Sequence, residues 1–161
     1  PGHFRGVATV VTKLFNLAHP HRAYFGLKDY QQALIIKTLA RDLDFDVEVK
    51  LLPLVRDRDG LALSSRNAYL SPRERSRALA IPRSLAWAKA EIRRKNRNLG
   101  SIRAGIFRRL RASLHRIDYV EFVQPDTLES VKSAKEGAVI AVAGWVGKTR
   151  LIDNVIIPSE R

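Results

Sequence analysis

Over the first 52 residues the hydrophobic pattern alternates between helical and extended spacing, and this order restricts the possible folds more than any other property of the chain. Val7, Val10, Val11, Leu14 and Phe15 recur at the spacing of one amphipathic helix, which stops at Pro20. Ala23 to Gly26 reads as a short buried strand. Asp29, with Gln32 three residues later, has the form of a capping box, and a helix with apolar Ile35, Ile36 and Leu39 follows as far as Leu43. Asp46 to Leu52 reads as a second strand, closed by Pro53. Helix, strand, helix, strand is the winding of a parallel α/β sheet. Such sheets are covered on both faces and rarely stop at two strands, so further strands are expected beside these, from residues before Pro1 or from another chain.

The texture changes after Pro53, which places a boundary near Leu54: residues 1–54 form one domain and 55–161 a second, with Val55 to Gly60 as a hinge. Ser71, Pro72 and Glu74 make a helix start, with cap, first-turn proline and closing carboxylate. That helix is expected to run through Leu79 and to end or kink at Pro82, then resume from Leu85 to Lys95. Asn96 to Gly100 reads as a turn. Ser101 reads as the cap of a helix from Ile102 to about His115, with Ile106, Phe107, Leu110 and Leu114 inward and the arginines outward. Residues 118–124, 138–145 and 150–157 read as strands, so the second domain is a small α+β unit with an antiparallel sheet. Gly147-Lys148-Thr149 is a hairpin turn; a phosphate loop needs a glycine where Val142 stands and a helix where a strand follows.

The formal charge is +13, from 29 Lys and Arg against 16 Asp and Glu, which suits a polyanionic or phosphorylated partner. Residues 83–116 hold eleven of the cations and one acid, Glu91, the pattern of a solvated basic helical face. The chain has no cysteine, which excludes disulfides and thiolate chemistry and fits a reducing compartment. It has no apolar run of membrane-spanning length, and its first residues lack a secretory pattern, so a soluble cytoplasmic protein is expected. His3, His19, His21 and His115 lack metal-ligand spacing, and there is no Gly-x-Ser-x-Gly elbow, so no protein-held metal and no serine nucleophile is expected.

What the chain does offer is phosphate chemistry. In Asp57 to Leu70, Gly60 gives backbone freedom, and Ser64, Ser65, Arg66 and Asn67 present hydroxyls, a guanidinium and an amide in consecutive positions. The same run is also ordinary loop and helix-cap chemistry. A second candidate lies where the first strand meets the next helix: Gly26 admits close backbone approach, Lys28 adds a charge to the helix N-terminus, and Gln32 offers donor and acceptor. Groups of this kind act by positioning and charge stabilisation.

Four ordered blocks, Pro1-Gly-His-Phe-Arg-Gly-Val7, Phe25-Gly-Leu-Lys-Asp-Tyr-Gln-Gln32, Asp59 to Leu70 and Thr149-Arg-Leu-Ile-Asp-Asn154, resemble the pantoate-beta-alanine ligase (pantothenate synthetase) family. The resemblance implies the C-terminal half of a Rossmann-like parallel-sheet domain, followed by the small α+β domain, which closes over ATP. It implies an ATP- and Mg²⁺-dependent ligase of pantothenate and coenzyme A biosynthesis. Pantoate attacks the α-phosphate of ATP, pyrophosphate leaves, and the amine of beta-alanine then attacks the pantoyl adenylate. Carried over by position, Gly26, Leu27, Lys28, Asp29, Val55, Leu63, Ser64, Ser65 and Arg66 bind ATP, with Lys28, Ser64, Ser65 and Arg66 catalytic. Gln32 holds pantoate, against a wall of Val7, Val10, Val11 and Phe25. Leu27 departs from the family's usual glutamate. The implied partners are pantoate, beta-alanine and ATP, with a homodimer in the intact enzyme and neither membrane nor nucleic acid. The family's His-x-Gly-His nucleotide signature and a second pantoate-binding glutamine do not occur here, so the isolated chain is expected to have little or no ligase activity. The alternatives are a basic RNA-binding module built on the arginine-rich helices and an inactive folded fragment.

Overall fold

A computed structural model describes residues 2–160, which divide into two compact units at the boundary between Leu54 and Val55. In the first unit, helix α1 (His3–Ala18) buries Val11 and Phe15 and ends at His19, which takes a left-handed conformation (φ 42°) and donates its N–H to Phe15 O. Strand β1 (Arg22–Gly26) leads through a single 3₁₀ turn (Leu27–Asp29) into α2 (Tyr30–Asp42), and β2 (Glu48–Leu52) returns parallel to β1. The register runs from Arg22 opposite Glu48 to Gly26 opposite Leu52. Ala23, Phe25 and Val49 pack on Val11, Phe15, Ile36 and Ala40, and Phe15 meets Phe45 edge-on at 5.5 Å between ring centroids.

Both strands alternate exposed and half-buried residues, and Tyr24 is 58% exposed, so among the described residues the sheet has two strands with one face covered. The expectation of a buried first strand is corrected by this alternation: only the face toward α1 and α2 has apolar neighbours. The expected capping box at Asp29 is also absent. Asp29 stands at the cap position of α2 without a side-chain cap, because the intervening 3₁₀ turn redirects the backbone, and its carboxylate lies 3.5 Å from Lys28 Nζ.

The second unit packs three helices on an antiparallel sheet. Helix α3 (Pro72–Ala78) starts with the complete capping box: Ser71 Oγ accepts from Glu74 N, and Ser71 N donates to Glu74 Oε2. Helix α4 (Ala80–Arg93) begins after a break at Leu79. The break falls before Pro82 because a proline ring crowds the carbonyl four residues back, here that of Ala78, where α3 ends; Pro82 itself fits in the first turn of α4. Helix α5 (Leu99–Arg111) starts earlier than Ser101, because Asn98 is its cap, Oδ1 accepting from Ser101 N at 2.9 Å, while the Ser101 hydroxyl donates back to Asn98 O.

Strands β3 (Arg116–Val123), β4 (Ala138–Val146) and β5 (Thr149–Ile157) follow in spatial order β3-β4-β5. The turn between β4 and β5 is Gly147-Lys148, with Val146 opposite Thr149 and Gly147 at φ +57°, a two-residue hairpin with glycine first. Ile81, Leu85, Ala88 and Ile92 of α4 and Ile102, Ile106 and Leu110 of α5 bury against Val120, Ile140, Val142 and Val146. Each such aliphatic side chain contributes about 1.5–3 kcal/mol. Trp87 of α4 packs against Gly105 of α5, where a Cβ would lie 2.2 Å from Trp87 Cη2; Arg109 lies over the same indole at 3.7 Å and donates to Gly105 O. Among the described residues no helix is long and apolar enough to cross a membrane.

Candidate functional site

In the first unit the carboxyl end of β1 presents the expected turn. Gly26 has ordinary extended dihedrals (φ −77°, ψ 135°), so backbone conformation does not demand glycine there. A Cβ built on it meets nothing within 4 Å; what glycine preserves is open space beside the strand end. Lys28 has its side chain 18% exposed. Leu27 is half-buried and Asp29 exposed, while Gln32 is half-buried in the first turn of α2. Of the expected apolar wall, Val7, Val11 and Phe25 share one hydrophobic cluster, whereas Val10, next to Val7 around α1, lies outside that cluster and is 56% exposed.

In the second unit the segment read as a hinge, Val55 to Gly60, forms one arm and the tip of a small hairpin. Arg56 and Ala62 form an antiparallel bridge, Leu63 N donates to Val55 O, and Asp57 N to Leu61 O. Gly60, at φ +95°, makes the turn that no other residue type enters easily. Ser64 follows in extended conformation and opens a 3₁₀ helix (Ser65–Tyr69), its Oγ accepting from Arg66 N at 3.3 Å. Ser65 and Arg66 are exposed and Ser64 half-buried; Val55 and Leu63 are exposed apolar residues flanking them. Asn67 is not presented with them. It is buried and its Nδ2 donates to Asp57 Oδ2 and Ala62 O, while its Oδ1 has no hydrogen-bond partner among the described residues.

Two arginine forks, missed by sequence reasoning, hold this loop. Arg75 of α3 donates from Nε to Asp59 Oδ2 and from Nη2 to Asp57 Oδ2, both at 2.7 Å. Hydrogen bonds from Arg75 hold the Asp59 carboxyl below the usual carboxylate range. The other fork is Arg56 on Asp153 of β5, at 2.7 Å and 3.0 Å, with the Asp153 side chain 2% exposed and Arg56 also donating to Gly60 O. An aspartate and an asparagine side by side within the otherwise apolar run from Leu151 to Ile157 were the available signal. The result is a loop fixed at its base, with Ser64, Ser65 and Arg66 at its free edge.

Among the described residues no group of three or more His, Asp or Glu could hold a metal ion. The chemistry on offer is anion binding by a guanidinium, an ammonium, hydroxyls and backbone N–H groups.

A sequence model described as pantoate-beta-alanine ligase matches residues 1–156. The pantothenate synthetase of Anaeromyxobacter dehalogenans is 55% identical over 158 residues, which are 98% of this chain and 55% of that protein. A crystal structure of pantothenate synthetase from Thermus thermophilus superposes with a TM-score of 0.91 at 46% identity, covering 96% of this chain and 56% of that one. The pantoate-beta-alanine ligase of Francisella tularensis, solved in complex with beta-gamma ATP and beta-alanine, matches with a TM-score of 0.69 at 32% identity, over 97% of this chain and 51% of that one. The chain thus spans about half the length of the curated relatives it matches.

Proposed function

We propose, for a chain that belongs to the pantoate-beta-alanine ligase family, that it supplies nucleotide- and pantoate-binding groups of an ATP-dependent ligase of pantothenate biosynthesis. The reaction is amide formation in two displacements. The pantoate carboxylate attacks the α-phosphate and expels pyrophosphate; the beta-alanine amine then attacks the acyl carbon of the pantoyl adenylate and expels AMP. Both steps spread negative charge over phosphate oxygens, so fixed cations and N–H donors are the groups that lower the barrier.

In this reading Lys28 and the N–H groups opening α2 meet the phosphates beside Gly26, with Leu27 and Asp29 at the same turn. Ser64, Ser65 and the Arg66 fork add donors, flanked by Val55 and Leu63. Gln32 holds the polar end of pantoate, and Val7, Val11 and Phe25, with Val10 beside them, face its dimethyl carbon. Mg²⁺ enters on the phosphates, as it usually does where few carboxylates converge. The intact enzyme is a cytoplasmic homodimer.

The observation that carries this is the free edge of the loop: two hydroxyls and a guanidinium stand together on a segment whose base is clamped by Arg75 and Arg56. A loop so braced loses little entropy when it takes up an anion. The 161 residues alone are proposed to turn over slowly, in keeping with a two-stranded parallel sheet and a match to about half of each relative. The test is pantothenate and AMP formation from ATP, Mg²⁺, pantoate and beta-alanine, by the chain alone and by its fusion to the unmatched part of an intact relative. The expected result is activity in the fusion that falls at least tenfold in Lys28→Ala. Turnover by the chain alone near that of an intact relative would sink the slow-turnover proposal, and an active fusion indifferent to Lys28→Ala the assignment of the site.

A further inference from the structure

The strongest feature that the ligase reading leaves unused is the charge on α4 and α5. Residues 55–161 carry 22 Lys and Arg against 11 Asp and Glu, a net +11, while residues 1–54 carry 7 against 5. Both helices bury one side completely, through Ile81, Leu85, Ala88 and Ile92 and through Ile102, Ile106 and Leu110. The opposite sides hold Arg83 and Arg93 on α4, with Arg94 at its C-cap, and Arg108 and Arg111 on α5, separated by Ala86, Ala90, Ser101 and Ala104.

A face kept only for solubility mixes both signs and gains from i,i+4 pairs; a one-signed face repels itself and weakens the fold. Here four cations of the region are neutralised: Arg94 by Glu91, Arg97 by Glu160, Arg103 by Glu121 and Arg116 by Asp118. Arg83, Arg93, Arg108 and Arg111 have no acidic partner among the described residues. The residues between them are small, and all four arginines are exposed.

We infer that this face of α4 and α5 binds the phosphodiester backbone of nucleic acid, without regard to sequence. Arginine rather than lysine dominates, and its fork matches phosphate oxygens. No large apolar side chain on either helix is exposed, so the apolar anchor that an amphipathic helix needs at a lipid surface is missing. The one aromatic residue on these helices besides Phe107 is Trp87, covered by Arg109 at 3.7 Å and wedged against Gly105, so it does not serve as a platform for stacking bases. Contacts are then to phosphates alone. The 14 residues of α4 extend about 21 Å, which spans about six base-pair steps.

The test is fluorescence anisotropy of the full chain with a labelled duplex of about 20 base pairs between about 50 and 200 mM salt. Four phosphate contacts predict a log–log salt slope of about −3.6, or about 150-fold weaker binding over that range. R83Q/R93Q/R108Q/R111Q is expected to lose at least 30-fold at the low-salt end and most of the slope. K37Q/R58Q/R73Q/K148Q, with the same change in net charge away from these helices, is expected to stay within about threefold. Unaltered tryptophan emission and urea midpoint in both variants establish that they are folded. Equal losses in the two variants would reduce the effect to net charge and overturn the inference. So would absence of saturable binding at low salt, or tighter binding to phosphatidylserine vesicles than to the duplex.

Discussion

Replacing Arg56 by methionine tests whether the loop is held in the way the geometry indicates. Two charge-assisted hydrogen bonds are lost, at 2.7 and 3.0 Å, from a carboxylate whose side chain is 2% exposed. Removing one member of a buried ion pair costs about 3–5 kcal/mol. Arg56 is 34% exposed, so water enters where the guanidinium was, and Asn154 N still donates to Asp153 Oδ1 at 2.7 Å. The expected loss is therefore about 2–4 kcal/mol. Both tryptophans, Trp87 and Trp145, lie in the second unit, so tryptophan emission during urea unfolding reads that unit alone. With a slope of about 2 kcal/mol per molar urea, the midpoint falls by about 1–2 M at constant slope. Arg56→Met with Asp153→Leu removes both charges and is expected to recover most of the loss, because an apolar pair of similar volume often replaces a buried ion pair at little cost. A midpoint within about 0.3 M of the parent for Arg56→Met, or a double variant no better than the single one, would refute the reasoning.

Gly105→Ala gains up to about 1 kcal/mol of helix propensity but drives a methyl group to 2.2 Å from Trp87 Cη2; the net expectation is a loss of about 1–3 kcal/mol, read from the same urea curves together with a shift in tryptophan emission. Lowering the pH tests the Arg75 fork. The Asp59 carboxyl is depressed by hydrogen bonds from Arg75, and that of Glu74 by bonds from Ser71, so both stabilise the fold above the unfolded-state value of about 4 and lose that contribution as pH falls through their lower folded values. Arg75→Gln is expected to flatten the urea midpoint below about pH 4, with the Glu74 part retained. In an active fusion, Arg66→Lys, which keeps charge without the fork, is expected to raise KM for ATP more than it lowers kcat, and an unchanged KM would count against the proposed phosphate contact.

Local chemistry in the sequence determined a good deal. The capping box at Ser71, the hairpin at Gly147 and the apolar periods of α1, α4 and α5 are properties of residues close in the chain, and they appear in the fold with ends shifted by a few residues. The parallel first sheet and antiparallel second sheet also follow from pattern and order. Family membership followed from four short blocks, because those blocks gather unusual residue types in fixed order.

Other features depended on which residues meet across long chain separations. Periodicity could not choose between Asn98 and Ser101 as the cap of α5, since each has the right side chain and only one points at a free N–H. Nor could it separate Val10 from Val7 and Val11, which sit close around α1 but differ in whether other side chains cover them. Asn67 looked like a ligand-facing amide, and the fold turned it inward onto Asp57 and Ala62. Arg56 meets Asp153 across 97 residues and Arg75 meets Asp59 across 16. Composition counted the cations of α4 and α5, but pairing in space left six of the seven without acids among the described residues, Arg103 alone meeting Glu121. The sequence by itself determined the elements and the supply of phosphate-binding groups, because propensity, capping and period act within a few residues. Tertiary structure decided which charges are neutralised and which side chains brace the loop, because those depend on distances that folding alone sets.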